Sequence, residues 1–303
     1  MRSTNLRNLL TNQNIAPSIR SQLRLKDRAS LYGTSRKLHK LNTNFRNRSE
    51  FLRKMKSILN KSYNNLTINR AQKITNHLNR LQRNHTPANA QKKIYDSFAA
   101  LLKSPWNLSN IYATEYGILS RVQKGINADD MRHFSTALAS GALAQCTALV
   151  LGVNPIGDNG LKALSEALAT GAMANCETLS LWDNQIGDVG IAALAQAIKP
   201  VSEGGGGALA LCDTLSIKKN NIGDKGIQAF SDAIAVGALP QCAILRLRGN
   251  RIGDKGLEAL SEALASGALP VILSIDLRNN KCTEAGKKKM RDIATKRKIL
   301  LGL

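Results

Sequence analysis

Four aspartates and four cysteines recur at matched intervals along this chain, and both residue types can bind metals or carry nucleophilic and redox chemistry. Asp158, Asp188, Asp224 and Asp254 are evenly spaced except for one longer step from Asp188 to Asp224, and Cys146, Cys176, Cys212 and Cys242 repeat those intervals. A zinc site needs four ligands converging on one point. Residues set one period apart lie along a line instead. Cysteines on adjacent strands would hold their Cα atoms about 5 Å apart, inside disulfide range. Stacked side chains point the same way, however, and no secretory segment is visible, so free packed thiols are expected. Cys282 falls where the repeated motif has isoleucine and is expected in the core. The aspartates precede helical patterns and are expected to be N-caps that accept orphan backbone N–H groups, in preference to a ladder of divalent cations.

Other chemistry is scarce. The four histidines are His39, His77, His85 and His133, and none lies in the repeated segment. The chain has no phosphate loop of the G-x-x-x-x-G-K-[ST] type and no nucleophile elbow. The run "EGGGG", Glu203–Gly207, lacks the lysine and the preceding strand that a phosphate loop needs, and reads as an inserted loop. The sequence therefore points to no catalytic residue, no metal, no cofactor and no enzymatic activity.

The elements that carry these ladders follow from the pattern around them. Asn154, Asn184, Asn220, Asn250 and Asn280 mark five copies of one unit at a constant period, which only the inserted loop lengthens, between Asn184 and Asn220. Fixed periods of this size indicate stacked units in a solenoid. The first half of each unit, as in Leu149-Val-Leu151-Gly-Val-Asn154, alternates with period two and predicts a short strand. The second half, clearest at Leu257, Leu260, Ala263 and Leu264, has helical spacing and predicts an amphipathic helix. Gly141, Gly171, Gly237 and Gly267 follow these helices, where a left-handed C-cap suits glycine. The asparagines are expected inside the turn after each strand, their amides satisfying backbone groups of neighbouring coils. Ile126, Met131, Phe134 and Leu138 match the register of Ile156, Leu161, Leu164 and Leu168, so a degenerate unit precedes the first full copy.

Over residues 115–290 these motifs resemble leucine-rich repeats, specifically the ribonuclease-inhibitor-like class with its long helical half and "N-x-IGD-x-G" signature. The resemblance implies an α/β solenoid, a leucine-rich repeat arc with a parallel sheet inside and helices outside. Departures are the cysteine in place of the first leucine of the motif in four copies, the inserted loop, and Cys282-Thr-Glu in place of Ile-Gly-Asp in the last copy. Some repeat proteins of this class activate small GTPases. That enzymatic alternative implies a longer array and an acidic tail, neither of which this sequence has.

Function is then expected in the residues that vary between copies. The positions flanking the two leucines of each strand face the concave side of such an arc. Read across units they are Ala148, Val150 and Gly152; Thr178, Ser180, Trp182 and Asp183; Thr214, Ser216, Lys218 and Lys219; Ile244, Arg246 and Arg248; Ser274, Asp276 and Arg278. The surface runs from small and neutral to basic and includes one tryptophan. Tryptophan and arginine are enriched at interface hot spots, so Ser180, Trp182, Asp183, Ser216, Lys218, Arg246, Arg248, Asp276 and Arg278 are expected to dock a protein partner.

Net charge is +22, unevenly distributed. Residues 1–110 hold 22 Lys and Arg against three acids, residues 111–280 hold 13 against 16, and residues 281–303 hold eight against two. The domain organisation expected is a basic all-α region over 1–110, a leucine-rich repeat domain over 111–290 comprising a degenerate cap and five repeats, and a basic C-terminal tail over 291–303. Residues 15–41 resemble the second half of an F-box. Ile19, Leu23 and Leu25 supply its apolar positions, with Leu31 and Leu38 in the helical part. The usual Leu-Pro opening is replaced by Ile15-Ala-Pro17, and Ala29 stands where a leucine is common. The resemblance implies a contact with a Skp1-like adaptor and, as an alternative function, a substrate receptor of a ubiquitin ligase. A second alternative is a nucleic-acid-associated protein, because the basic N-terminal region should bind polyanions non-specifically by counterion release. No apolar run approaches the length of about 20 residues that a helix needs to cross a bilayer, so no membrane span is expected. Two basic clusters in "GKKKMRDIATKRK" have bipartite nuclear-signal spacing and equally suit a solvated last helix. The expected location is cytoplasmic or nuclear. The segment Met1–Lys26, acid-free and Arg-bearing, keeps mitochondrial import as an alternative.

Overall fold

A computed structural model describes residues 118–144 and 146–303, together with helical positions 93, 96 and 97. The F-box-like segment 15–41, with Ile19, Leu23, Leu25, Leu31 and Leu38, lies outside the described residues, as does nearly all of 1–110.

Seven three-residue strands alternate with six helices. They are β1 (Ile118–Ser120), α1 (Ala128–Ala139), β2 (Ala148–Val150), α2 (Gly157–Ala169), β3 (Thr178–Ser180), α3 (Asp188–Ile198), β4 (Thr214–Ser216), α4 (Asp224–Ala235), β5 (Ile244–Arg246), α5 (Asp254–Ala265), β6 (Ser274–Asp276), α6 (Glu284–Arg297) and β7 (Leu300–Gly302). The strands form one sheet in sequence order. Every neighbouring pair is parallel, with Leu149 beside Leu179, Leu179 beside Leu215 and Leu215 beside Leu245. Parallel neighbours need a crossover, and each helix supplies one.

The core lies between sheet and helices. Leu149, Leu179, Leu215 and Leu245 at the strand centres are at most 1% exposed, as are Leu161, Leu164, Leu257 and Leu260 on the helices. Ile126, Met131, Phe134 and Leu138 of the degenerate unit are buried with them. Helices α1, α2, α4 and α5 are followed by Gly141, Gly171, Gly237 and Gly267, with φ of 90°, 83°, 97° and 99°. These are the left-handed positions that glycine occupies without a Cβ penalty. Helix α3 ends differently, on Lys199 and Pro200, and a single 3-10 turn over Val201–Glu203 begins the inserted loop. The insertion leaves the sheet in register, with Thr178 beside Thr214.

Residues 291–303 are not a tail. They form the second half of α6 and the strand β7, which pairs with β6 through Ser274 and Leu300. Met290, Ala294 and Ile299 are buried, which anchors this end to the array. The Arg297 guanidinium donates to the carbonyls of Leu264, Ala268 and Leu269 at 2.9, 2.7 and 2.7 Å, satisfying the C-terminal end of α5. The high charge of this segment hides its apolar side.

The asparagine ladder locks the turns as expected. Asn220 Oδ1 accepts from the amides of Asn184 and Ile186 in the preceding unit, at 2.9 and 3.1 Å. Its Nδ2 donates back to the carbonyls of Leu181, Ile217 and Lys218. Asn154, Asn184, Asn250 and Asn280 make variants of the same contacts.

The aspartates act differently from expectation. They do not cap their own helices, whose N-cap positions Gly187, Gly223 and Gly253 carry no side-chain cap. Each carboxylate reaches the next helix instead. Asp158 Oδ1 accepts from Gly187 and Gly190, Asp188 from Gly223, Asp224 from Gly253 and Gly256, and Asp254 from Thr283. Three residues after those N-caps glycine is required, because a Cβ on Gly190, Gly226 or Gly256 would come within 2.6–2.7 Å of the carboxylate. Helix α1 follows no such aspartate and caps itself, with Asn127 and Asp130 forming a capping box.

Candidate partner-binding face

The three-residue strands present their flanking residues on the face turned away from the helices, while the intervening leucines point inward. Adjacent strands are about 5 Å apart, so equivalent residues of successive units form rows across this open face. One row is Val150, Ser180, Ser216, Arg246 and Asp276, fixed by the ladder pairing. Two residues further along lie Gly152, Trp182, Lys218, Arg248 and Arg278.

The expected docking residues divide by exposure. Asp183, Arg246, Arg248 and Arg278 are exposed, and Ser180, Trp182, Lys218 and Asp276 are half-buried. Ser216 is a correction, being only 3% exposed and so unavailable to a partner. Trp182 is also less free than its sequence context implied. The indole covers Gly152 of the preceding unit so closely that a Cβ there would overlap it. On its other side, Lys218 Nζ sits 5.2 Å from the ring centroid, a cation–π distance. Tryptophan at this site is a platform that positions a lysine.

The electrostatics are lopsided. Arg278 forks onto Asp276, with Nε and Nη2 each 2.8 Å from a carboxylate oxygen. That pairing holds the Asp276 carboxyl below its ordinary pKa. Arg246 is directly beside Asp276 in the ladder, yet the carboxylate is already committed to Arg278. Among the described residues, Lys218, Lys219, Arg246, Arg248 and Arg251 make no ion pair, whereas Lys287, Lys289 and Arg291 of α6 pair with Glu284, Glu258 and Glu262. Like charges on neighbouring strands destabilise a sheet. Arg251 and Lys281 extend the basic strip along the turns and were missed at the sequence level. They share one aligned column, one residue after each ladder asparagine, with Pro155, Gln185 and Asn221, and reading that column finds them.

The thiols offer no reactive site. Cys146, Cys176, Cys212 and Cys242 are free and buried, each donating to a backbone carbonyl two residues on. Burial pushes Cys176 and Cys242 up to about 12 and Cys212 up to about 11. Cys282 is half-buried, short of the full core position expected, and donates to the carbonyl of Ile252 at 3.2 Å. Among the described residues, no group of three or more His, Cys, Asp or Glu is arranged to hold a metal ion, and no helix is long and apolar enough to cross a membrane.

Comparison with known families matches the description "Leucine Rich repeat" over residues 147–165, 177–195, 214–231 and 244–261. Each matched segment runs from a strand through most of the following helix. No curated protein matches the chain.

Proposed function

We propose that this leucine-rich repeat protein is a non-enzymatic adaptor that holds a protein partner on the open face of its sheet. Leucine-rich repeats generally mediate protein–protein interaction, and the coarse reading follows from the family. The finer one rests on a single observation. Residues that repeat are buried or consumed in backbone hydrogen bonds, whereas Lys219, Arg246 and Arg248, which change between copies, are solvent-facing and make no ion pair among the described residues. Lys218 and Arg248 lie in one row of like charge that gives the sheet no pairing, and a binding surface accounts for it.

The test uses the full chain. Arg246→Ala with Arg248→Ala should lose specific protein partners identified by mass spectrometry while the thermal midpoint stays within about 2 °C, as expected for surface changes near ±0.5 kcal/mol. Glu166→Ala, on the helical side, should leave capture intact. Unchanged capture by the double variant would exclude this face as the docking site. Trp182→Ala is a poorer test because its ring covers Gly152.

A further inference from the structure

Four cations crowd a patch two strands wide on the open face, with a carboxylate on one border and an ion pair on the other. Lys218 and Lys219 follow β4, Arg246 closes β5, and Arg248 follows it. Asp183 stands exposed on the β3 side, and Asp276, clasped by Arg278, stands on the β6 side. On the strands, the unpaired cations lie between Asp183 and the Asp276–Arg278 pair, about 15 Å apart given strand spacings of about 5 Å.

We infer that the occupant of this patch is a short protein segment rich in Asp and Glu, seated by its carboxylates on Lys218, Arg246 and Arg248. This rests on the adaptor reading and specifies the chemistry of its partner. Charge complementarity carries the choice, since unpaired arginines on a surface match carboxylates bidentately. The geometry disfavours a nucleic acid. Single-stranded binders track the backbone along an extended basic groove and stack bases on open aromatic faces. Here the cations of the two units are followed by a carboxylate on one side and an ion pair on the other, and the Trp182 ring packs against Gly152 and Lys218. The cations are also spread over two neighbouring units as single charges, which suits successive carboxylates better than a single phosphate dianion.

The test reads the site locally, because the basic N-terminal region would bind any polyanion. In full-length chain carrying Trp106→Phe, Trp182 becomes the sole tryptophan and reports its own environment. The probe is a ten-residue peptide of alternating Glu and Asp, titrated at physiological salt beside a Gln/Asn analogue and a ten-nucleotide oligo(dT). The acidic peptide should shift Trp182 fluorescence saturably by drawing Lys218 off the ring. Arg246→Gln with Arg248→Gln should weaken this about fivefold, in keeping with the loss of two exposed charge pairs. Lys288→Gln with Lys296→Gln, on α6, should not alter it. Oligo(dT) producing the same saturable shift more tightly than the peptide would overturn the inference in favour of a nucleic acid. A peptide that leaves Trp182 unchanged would overturn it as well. The adaptor reading would then still stand if the Arg246/Arg248 double variant had lost its specific partners.

Discussion

The carboxylate of Asp158 lies 2.6 Å from the backbone nitrogen of Gly187, 29 residues further along the chain. It also accepts from Gly190 at 2.9 Å, so one side chain satisfies two of the orphan amides at the start of the following helix. Asp158, Asp188, Asp224 and Asp254 are thus caps that each unit supplies to the next.

Removing such a cap should damage the helix that receives it. Asp224→Ala is expected to lower stability by about 1–2 kcal/mol, the range for lost N-caps, in urea unfolding. Hydrogen exchange locates the effect. The Gly253 and Gly256 amides, which donate to Asp224 at 2.6 and 3.0 Å, should exchange faster, and the first turn of α4 should not. Faster exchange in α4 instead would mean that Asp224 serves its own helix.

Asn220 should be costlier to lose. Its replacement by alanine strands the amides of Asn184 and Ile186 in a buried turn. At about 1–3 kcal/mol for each unsatisfied buried group, Asn220→Ala should destabilise by about 2–5 kcal/mol. Asn280→Ala should cost less, because Asn280 is half-buried and accepts from one amide, that of Ile252. Equal losses in a urea series would contradict this ordering.

Val153 is misplaced by backbone conformation. It sits at φ 58°, where the equivalent residues are Asp183, Lys219, Gly249 and Asn279. A left-handed residue with a Cβ costs about 1–2 kcal/mol, and asparagine tolerates it best among non-glycines. Val153→Asn should therefore raise stability by about 0.5–1 kcal/mol, read as an increase in thermal midpoint. A fall would mean that the half-buried valine contributes more by contact than it loses by strain.

The thiols make an alkaline prediction. Folded-state values of about 12 for Cys176 and Cys242, and about 11 for Cys212, lie above the ordinary thiol range. A raised value keeps the folded protein protonated where the unfolded chain ionises. The associated stability is complete below about pH 8.5 and is lost as pH climbs through these folded values. Urea midpoints should hold steady from about pH 7 to 8 and decline above pH 9. At neutral pH a thiol reagent should reach Cys282 first and the other four only upon unfolding.

Much of the fold was legible in the sequence because leucine and asparagine are constrained at every copy. Leu149, Leu179 and Leu215 must point inward, and Asn184 and Asn220 must sit in the turns they lock. The direction of the aspartate contact was not legible. When every unit carries the residue, capping one's own helix and capping the next produce the same spacing. The open face was partly readable. Arg246 and Arg248 emerge exposed, but Ser216 is buried, and the bed beneath Trp182 depends on a glycine one unit earlier that only the fold brings beside it. The buried side of the last helix and the strand β7 were hidden because eight cations in residues 281–303 outweigh Met290, Ala294 and Ile299 in any composition count.

The two ladders run in opposite senses. Aspartate reaches forward to the next helix, and asparagine Oδ1 reaches back to the previous turn. Both donors and acceptors are the same at each internal junction, so any internal unit meets its neighbours through interchangeable fittings. Excising Asn221–Asn250 would join Asn220 to Arg251 and leave Asp188 facing Gly253 in the place of Gly223. Such a shortened chain should still close its junctions, one tile fewer. Array length is then set by something other than the chemistry of stacking.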